Sequence, residues 1–541
     1  MASTYSSDIV IVGGGIAGIT AAIELLNFDK KVLIVDRDTK ENFGGLAKES
    51  FGGMFFVDTP QQRRAGIKDS PELAFKDWCS VAQFGEGDEL PRAWARAYVY
   101  NCTSHVYEWL KSKGVSFFPV VHWVERGLFK PGNSFPRFHM VWGTGSELTN
   151  VLIKRLLNHP KASTNLEIVY QHKGEVLLTE GKRVIGIKGI DESTNKEFEA
   201  KGEQIIVATG GMGGNIERVK RNWYKPWGEP PETILNGAHK YALGDMHDAV
   251  QNKDGIVTHL DKNWPYAAGV HHPRPQREGH GLSLVPPKSA LWLDYTGNRF
   301  GPMPLITAYD TRYCVEQICN QKKKYSWQIL NMKIAYKEFA ISGSESNKAM
   351  RKKSWLGFIK TILFGNKELV HDMLDNCKDF VVADTIEELV DKMNVLAGTS
   401  DVKLEHVQNS VSTYDAHINR GKKYFNDEQL RRISHARQYR GDKVRTLKSQ
   451  KIVDPKAGKL IAIREFILSR KTLGGIQTNL DGKVMGKDGQ PMSGLYAVGE
   501  VAGFGGGGMH GLGTLEGTFL GGCVLTGRVA AYSIAGKKLL E

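Results

Sequence analysis

Apolar residues change texture three times along the chain. Asp8 to Val12 is a continuous β-branched run, as a strand covered on both faces requires. Gly13 to Gly18 turns out of that run into a helix predicted to reach about Phe28, and Lys31 to Val35 reads as a second strand. Residues 70–113 place Trp, Leu and Ala on a 3.6-residue period, which predicts helices. Glu167–Tyr170, Arg183–Ile187 and Gln204–Ala208 read as further strands. From about 263 to 471 the pattern differs: prolines, histidines and aromatics crowd 264–304, and charged helical segments follow. Alternation and glycine return at 475, and a small-residue helix is expected over about Gly517 to Ala535. No internal repeat is present. The simplest organisation is an α/β domain made from both chain ends, 1–262 and 472–541, with an α+β domain, 263–471, inserted into it.

Composition refines this picture only in part. A chain of 541 residues exceeds what one core usually organises, and 41% hydrophobic with 24% charged residues is ordinary for a globular protein. The net charge of +13 suits an acidic surface or anionic ligand, or simply a solvated basic surface whose cations also neutralise a pyrophosphate. No nucleic-acid-binding motif or basic tail accompanies it, so nucleic acid is not expected as a partner. No apolar run approaches the roughly 18 residues of a membrane span. Ser3 to Asp8 leads straight into a strand, with no signal-peptide pattern. Six cysteines lie far apart except for Cys314 and Cys319, which predicts free thiols, no metal site and a cytoplasmic setting.

The 60 glycines are more numerous than usual, and they cluster. Gly13-x-Gly15-x-x-Gly18 follows a strand and opens a helix, and Asp36 ends the next strand 18 residues after Gly18. The first glycine permits a tight turn, the second a close approach of backbone to pyrophosphate, and the third close helix–strand packing. The helix N-terminus faces the phosphates and the acid takes ribose hydroxyls. That fingerprint serves NAD and FAD alike. Gly44-Gly45 beyond the acid, Ala208-Thr209-Gly210-Gly211 at a strand end, and Gly494 to Glu500 before a glycine-rich loop point to FAD.

With these three motifs in place, the chain resembles the fumarate reductase/succinate dehydrogenase flavoprotein superfamily over nearly its whole length, in the soluble branch with the 3-ketosteroid dehydrogenases. The resemblance implies a Rossmann-type FAD-binding domain with an inserted capping domain that closes over the flavin. It implies that Gly13, Gly15, Ala17, Gly18, Asp36, Arg37, Gly44, Gly45, Leu46 and Ala47 hold the ADP half of FAD, with Gly174, Ala208, Thr209, Gly210 and Gly211 along its path. Glu500 would contact the ribityl region, and the helix beginning at Gly517, Thr518 and Phe519 would aim its N-terminus at the flavin's pyrimidine edge. Gly45 to Gly53 contains no histidine, so FAD is expected to be non-covalent. Asp294 to Phe300 is similar to the family's hairpin before the active-site loop, and Val411 to Lys423 to its late cap helix.

The reaction expected is hydride exchange between flavin N5 and the carbon β to a carbonyl, with proton transfer at the α carbon. His510 matches the family's histidine, but Thr514 stands where the fumarate reductases place an arginine, and Lys471 where they place a histidine. A dicarboxylate substrate thereby loses a partner. The ketosteroid dehydrogenases carry a tyrosine before the late Gly-Gly pair, and Lys451 to Gly474 has none. Tyr309, Arg312 and Tyr313 fall where the family places its proton-transfer group; a packed or surface position is the competing reading for each. His510 sits within seven glycines between Gly503 and Gly513, a backbone bare enough for a ligand to fill the space. Lys471 reads as an anion clamp or enolate stabiliser, or as a solvent-facing lysine. His271 and His272 are candidate cavity-lining residues.

Lys348 to Phe364 joins Arg351-Lys352-Lys353 to an apolar run. It reads as a cap helix with its apolar face buried; a helix lying on an anionic membrane, in peripheral contact, is the alternative. The expectation is a FAD-dependent oxidoreductase acting on a CH–CH bond beside the carbonyl of a small, hydrophobic substrate, similar to the 3-ketosteroid dehydrogenases, with an electron acceptor that the sequence does not name. The alternatives are a soluble fumarate reductase-like enzyme and a flavin relay subunit with no substrate site.

Overall fold

The computed structural model describes residues 3–540. The chain divides into two compact units. The first comprises residues up to Tyr224, Ala238–Trp264 and Arg470 onward; the second comprises Lys225–Gly237 and Pro265–Ser469. The short stretch 225–237, which the sequence pattern groups with the first domain, thus packs with the second unit.

The first unit is built on a sheet whose central strands are parallel. β1 (Ser3–Val12) pairs with β2 (Val32–Val35) in the register Ile9 to Val32 through Val12 to Val35. On its other side β1 pairs with the strand Lys196–Val207. Pro491–Ala497, from the far end of the chain, adds outside that strand in parallel, and Leu166–Val169 adds outside β2. The hairpin His172–Glu180/Arg183–Asp191 extends the sheet in antiparallel fashion. Ile9 to Val12 are at most 3% exposed, which explains their unbroken apolar run. Val10, Val12, Leu33, Val35, Ile205, Val207 and Leu495 form one core layer. Helix α1 (Ile16–Asn27) connects β1 to β2 and is buried along nearly its whole length.

The C-terminal helix, Thr518–Ile534, packs directly against α1. A Cβ at Gly527 would stand 2.5 Å from Ala17 O, so the two backbones approach more closely than any side chain permits. At the next residue, Arg528 Nε donates to Glu24 at 2.7 Å and Arg528 Nη1 donates to His105 O at 2.6 Å. Both charges are almost enclosed, with 7% and 5% side-chain exposure, so each depends on the other for its solvation.

The second unit is organised on a mainly antiparallel sheet in the order Leu291–Leu293, Tyr325–Asn331, Leu460–Thr472, Asn263–His271, Gly281–Val285, Ala340–Ile341. The expected turn at Asp294 to Phe300 is present: Asp294 N donates to Asn298 O at 2.8 Å, and Gly297 takes φ +94°. The late helix spans Leu404–Asn419 rather than 411–423. Its buried stripe Val407, Ser410, Val411 and Tyr414 sets the start, and Gly421 at φ +84° follows its end. The helix Trp355–Phe364 departs from the expected burial: none of its residues is buried. Among the described residues no helix is long and apolar enough to cross a membrane.

Removing one member of the enclosed pair at the α1 contact leaves the other charge stranded. Glu24→Ala is expected to cost about 3–5 kcal/mol of stability, read as a shift in the denaturant midpoint. An unchanged midpoint would show that the pair is solvated in some other way.

Candidate functional site

The carboxyl ends of the parallel strands in the first unit converge, and each strand's ladder runs one rung further. Gly13 N donates to Val35 O at 2.8 Å, Ala208 N to Val12 O at 2.8 Å, and Val498 N to Val207 O at 2.9 Å. Gly13, Asp36, Ala208–Gly211 and Gly499-Glu500 therefore emerge side by side. Sheets of this kind bind ligands at such an edge.

The three fingerprint glycines have different reasons to lack a side chain. At Gly13, φ is +108° and a Cβ would stand 2.5 Å from Ala208 O. At Gly18 a Cβ would stand 2.2 Å from Gly13 O, so that glycine lets α1 lie on β1. At Gly15, the N-cap of α1, a Cβ would meet nothing within 4 Å. Gly210 opens onto empty space in the same way. Gly44-Gly45 lies against this opening, since a Cβ on Gly45 would be 3.2 Å from Gly15 Cα. Leu46 and Ala47 follow in a short 3-10 turn, Gly45–Glu49. No acid occupies the first turn of α1, and its N-terminal partial charge faces the opening.

Asp36 accepts from Gly14 N at 2.6 Å and from Asp38 N at 2.8 Å. Burial raises its pKa, and the two backbone donors hold it down. Arg37 is occupied by a bidentate contact with Glu192, at 2.7 Å for Nη2, and lies 4.4 Å from the Tyr241 ring centroid. Gly174 sits inside the sheet, where a Cβ would be 3.0 Å from a Val12 methyl. Lys48, not singled out by the sequence pattern, donates to Asn42 O beside Asp36 and Asp38, and burial lowers its pKa.

A second cluster surrounds the start of the C-terminal helix. Thr472 N donates to Glu500 Oε1 at 2.9 Å, and Met212 N donates to Thr472 Oγ1 at 3.0 Å. A Cβ at Gly211 would collide with both acceptors, 2.4 Å from Glu500 Oε1 and 2.5 Å from Thr472 Oγ1. Gly499 likewise leaves room for Ala17 and Cys523. Lys471 Nζ lies 5.4 Å from the Phe519 ring centroid. Burial, and then the neighbouring Arg470 charge, bring its pKa down to about 8, against the opposing pull of Glu500 and Glu516. Burial raises Glu500 and pushes the Cys523 thiol up to about 12. Gly517, at φ +98°, caps the helix and packs on the Phe55 backbone.

His510 is fully enclosed. Its ring stacks on Trp78 at 5.4 Å and meets Phe504 and Phe519 edge-on or tilted, each at 5.1 Å. Burial lowers its pKa to about 3, so the imidazole is neutral. Nε2 lies 2.8 Å from Thr518 Oγ1, which lies 2.8 Å from Thr514 Oγ1, and Thr514 donates to Leu515 O at 3.1 Å. Because each hydroxyl has one proton, that order makes Thr518 donate to Thr514 and His510 Nε2–H donate to Thr518. Nδ1 is then a lone-pair acceptor, buried and without a protein partner.

The glycine-rich loop around His510 is not bare for a ligand. Cβ atoms at Gly505, Gly506, Gly507 and Gly511 would meet Trp94, Leu90, Thr258 and Ala82 at 2.2–2.7 Å. Protein atoms fill the space the sequence leaves open. Beside this loop His259 Nε2 lies 2.6 Å from Asp88, with Lys262 at 3.8 Å from the same carboxylate. Residues 171 apart have no pattern that would reveal such a pair.

Tyr309 and Arg312 belong to the second unit. Tyr309 Oη donates to Arg432 O at 2.9 Å and meets His435 Nδ1 at 3.2 Å, and Arg312 lies 4.7 Å from the Trp227 ring centroid. His271 is fixed by Asp379 at 2.8 Å, and His272 stacks on His280 at 4.3 Å. These contacts give each side chain a packing role of its own.

Comparison with known proteins identifies the family and the fold. The sequence model of a family described as "FAD binding domain" matches residues 8–520. A KsdD-like steroid dehydrogenase of Mycobacterium tuberculosis is 40% identical, the alignment covering 99% of this chain and 96% of the relative. The 3-ketosteroid Δ1-dehydrogenase of Sterolibacterium denitrificans, solved with 1,4-androstadiene-3,17-dione, superposes with a TM-score of 0.73 at 16% identity, covering 98% of this chain and 99% of that one. The 3-ketosteroid-Δ4-(5α)-dehydrogenase of Rhodococcus jostii, solved with 4-androstene-3,17-dione, gives 0.64 at 20% identity, covering 98% and 97%.

The open space at Gly15 and Gly210, the helix N-terminus and the Asp36 carboxylate fit a dinucleotide. Gly15→Val is expected to fold normally, because its side chain points into empty space, yet to bind FAD at least about tenfold more weakly. Visible flavin absorbance after desalting, beside an unchanged melting temperature, checks this; full flavin occupancy would remove Gly15 from the site.

Proposed function

The chain belongs to the FAD binding domain family, and from that membership we propose that it introduces or reduces the carbon–carbon double bond beside the carbonyl of a steroid-like ketone. The chain is a FAD-dependent oxidoreductase. The observation that carries the substrate class is the neutral hydroxyl at Thr514, committed to Leu515 O and Thr518. A dicarboxylate needs a cation there for its second carboxylate; a ketone presents one oxygen and needs no such partner. The full-length similarity to a steroid dehydrogenase supports the same class.

Dehydrogenation removes a proton from the carbon next to the carbonyl, and a hydrogen with an electron pair from the carbon beyond it. Bound FAD supplies the two-electron acceptor. The chain's own residues hold and polarise. Gly13, Gly15, Gly45, Asp36 and Ala208–Gly211 are the proposed cradle of the dinucleotide. The helix start at Thr518 and the Lys471 ammonium supply positive potential where negative charge develops. His510 is neutral and engaged with Thr518, so we assign it as a positioning residue that orients the Thr518 hydroxyl.

Two experiments test the reading. Anaerobic mixing with a 3-ketosteroid should bleach the flavin, whereas succinate should not; bleaching by succinate, or by neither, overturns the assignment. Lys471 carries its charge below pH about 8, so flavin reduction should slow as pH rises through that value. Lys471→Met should lower the rate by about a hundredfold and abolish that limb. A retained limb would assign it to another group.

A further inference from the structure

The helix Trp355–Phe364 of the second unit turns its greasiest side outward. Trp355 is 46% exposed, Leu356 84%, Ile359 49%, Leu363 65% and Phe364 68%. Five of the fourteen exposed large apolar side chains among the described residues thus lie on one ten-residue helix. At about 100° per residue, Trp355, Leu356, Ile359 and Leu363 share roughly 100° of the helix circumference, so they form one stripe.

The helix is held firmly from behind. Ser354 Oγ accepts from Gly357 N at 3.1 Å as its cap, and Lys337 Nζ donates to Ile362 O at 2.7 Å. Asn366 N donates to Tyr336 O at 2.9 Å immediately after its end. The outward stripe is therefore the surface that remains when the helix is docked.

Charge accompanies the stripe. Lys348 to Lys367 contains six basic residues, Lys348, Arg351, Lys352, Lys353, Lys360 and Lys367, and no acidic one. Arg351, Lys352, Lys353, Lys360 and Lys367 are exposed. Nearby acids are engaged: Glu368 pairs with Lys348 at 2.5 Å, and Asp372 with Arg274 at 2.7 Å. Exposed Trp, Leu, Ile and Phe between lysines and arginines are the pattern of a helix that lies in the headgroup region of an anionic bilayer. A soluble protein partner would need an apolar groove lined with acids; a bilayer supplies both apolar interior and negative surface along a single plane.

We propose that this helix seats the protein on the surface of an anionic phospholipid membrane, with Trp355, Leu356, Ile359 and Leu363 in the acyl boundary and the flanking lysines and arginines at the phosphates. Membrane seating is separate from the redox chemistry, and it is read as partition rather than turnover. Either can fail without the other.

The test uses the full-length holoprotein and two kinds of vesicle, pure phosphatidylcholine and phosphatidylcholine mixed with phosphatidylglycerol. Co-sedimentation with the mixed vesicles is expected, about tenfold or more stronger than with the neutral ones and weaker in high salt. Leu356→Glu/Ile359→Glu changes only exposed positions; it should keep its flavin and lose about tenfold or more of that binding. Brominated phosphatidylcholine within mixed vesicles should quench tryptophan fluorescence less in Trp355→Phe than in wild type. The proposal is overturned if wild type stays in the supernatant with both vesicles, if the double variant sediments like wild type, or if the quenching is the same in Trp355→Phe. It is equally overturned if the double variant turns a dimer into a monomer by light scattering while no vesicle binding occurs, which would make the stripe a contact between copies of this chain.

Discussion

The first unit depends on how closely its backbones approach at a few glycines. Gly18 brings α1 onto β1, Gly527 brings the C-terminal helix onto α1, and Gly13 brings β1 beside the strand ending at Val207. In each case a single added carbon would fall within about 2.5 Å of a carbonyl oxygen. Packed interiors have no slack for that displacement. The enclosed Glu24–Arg528 pair fastens the same junction by charge. Residues from both ends of the sequence therefore reach one edge of one sheet, and the candidate site exists only because they do.

At that edge positive groups stand among the Asp36, Glu500 and Glu516 carboxylates. Two helix N-termini without acids in their first turns, at Gly15 and Gly517, join the Lys471 ammonium. Positive potential favours an anionic ligand and a developing anion alike. Glu500 offsets it locally, anchored by Thr472 N, and its raised pKa shows how far burial opposes that charge. His510 contributes no charge: four aromatic and hydroxyl neighbours keep the ring neutral and fix its Nε2–H.

Glycine-rich sequence has two opposite meanings in this chain. Gly15 and Gly210 lack side chains beside open space, as a ligand requires. Gly505 to Gly507 and Gly511 lack them because Trp94, Leu90, Thr258 and Ala82 are already there. Both kinds look alike in one dimension. The apolar helix Trp355–Phe364 poses the same problem in reverse, since an amphipathic stripe reads identically whether it covers a core or faces outward.

The core strands of the first unit and the cofactor class are legible in one dimension, though not every helix boundary: the late helix starts at Leu404, not at 411. The β-branched run at Ile9–Val12, the fingerprint glycines and Asp36 are local patterns whose spacing is set by strand and helix geometry, so they are legible without the fold. The return of that pattern near Gly494–Glu500 also raised the expectation that both chain ends serve one sheet, and Pro491–Ala497 pairs with Lys196–Val207. Tertiary structure alone decided which groups meet: Lys471 near Phe519 and Glu500, His259 with Asp88, His510 against Trp78. It also decided the burial that brings Lys471 to about 8 and His510 to about 3. Proximity between residues hundreds of positions apart, and the loss of water around them, arise from packing, which no local spacing encodes.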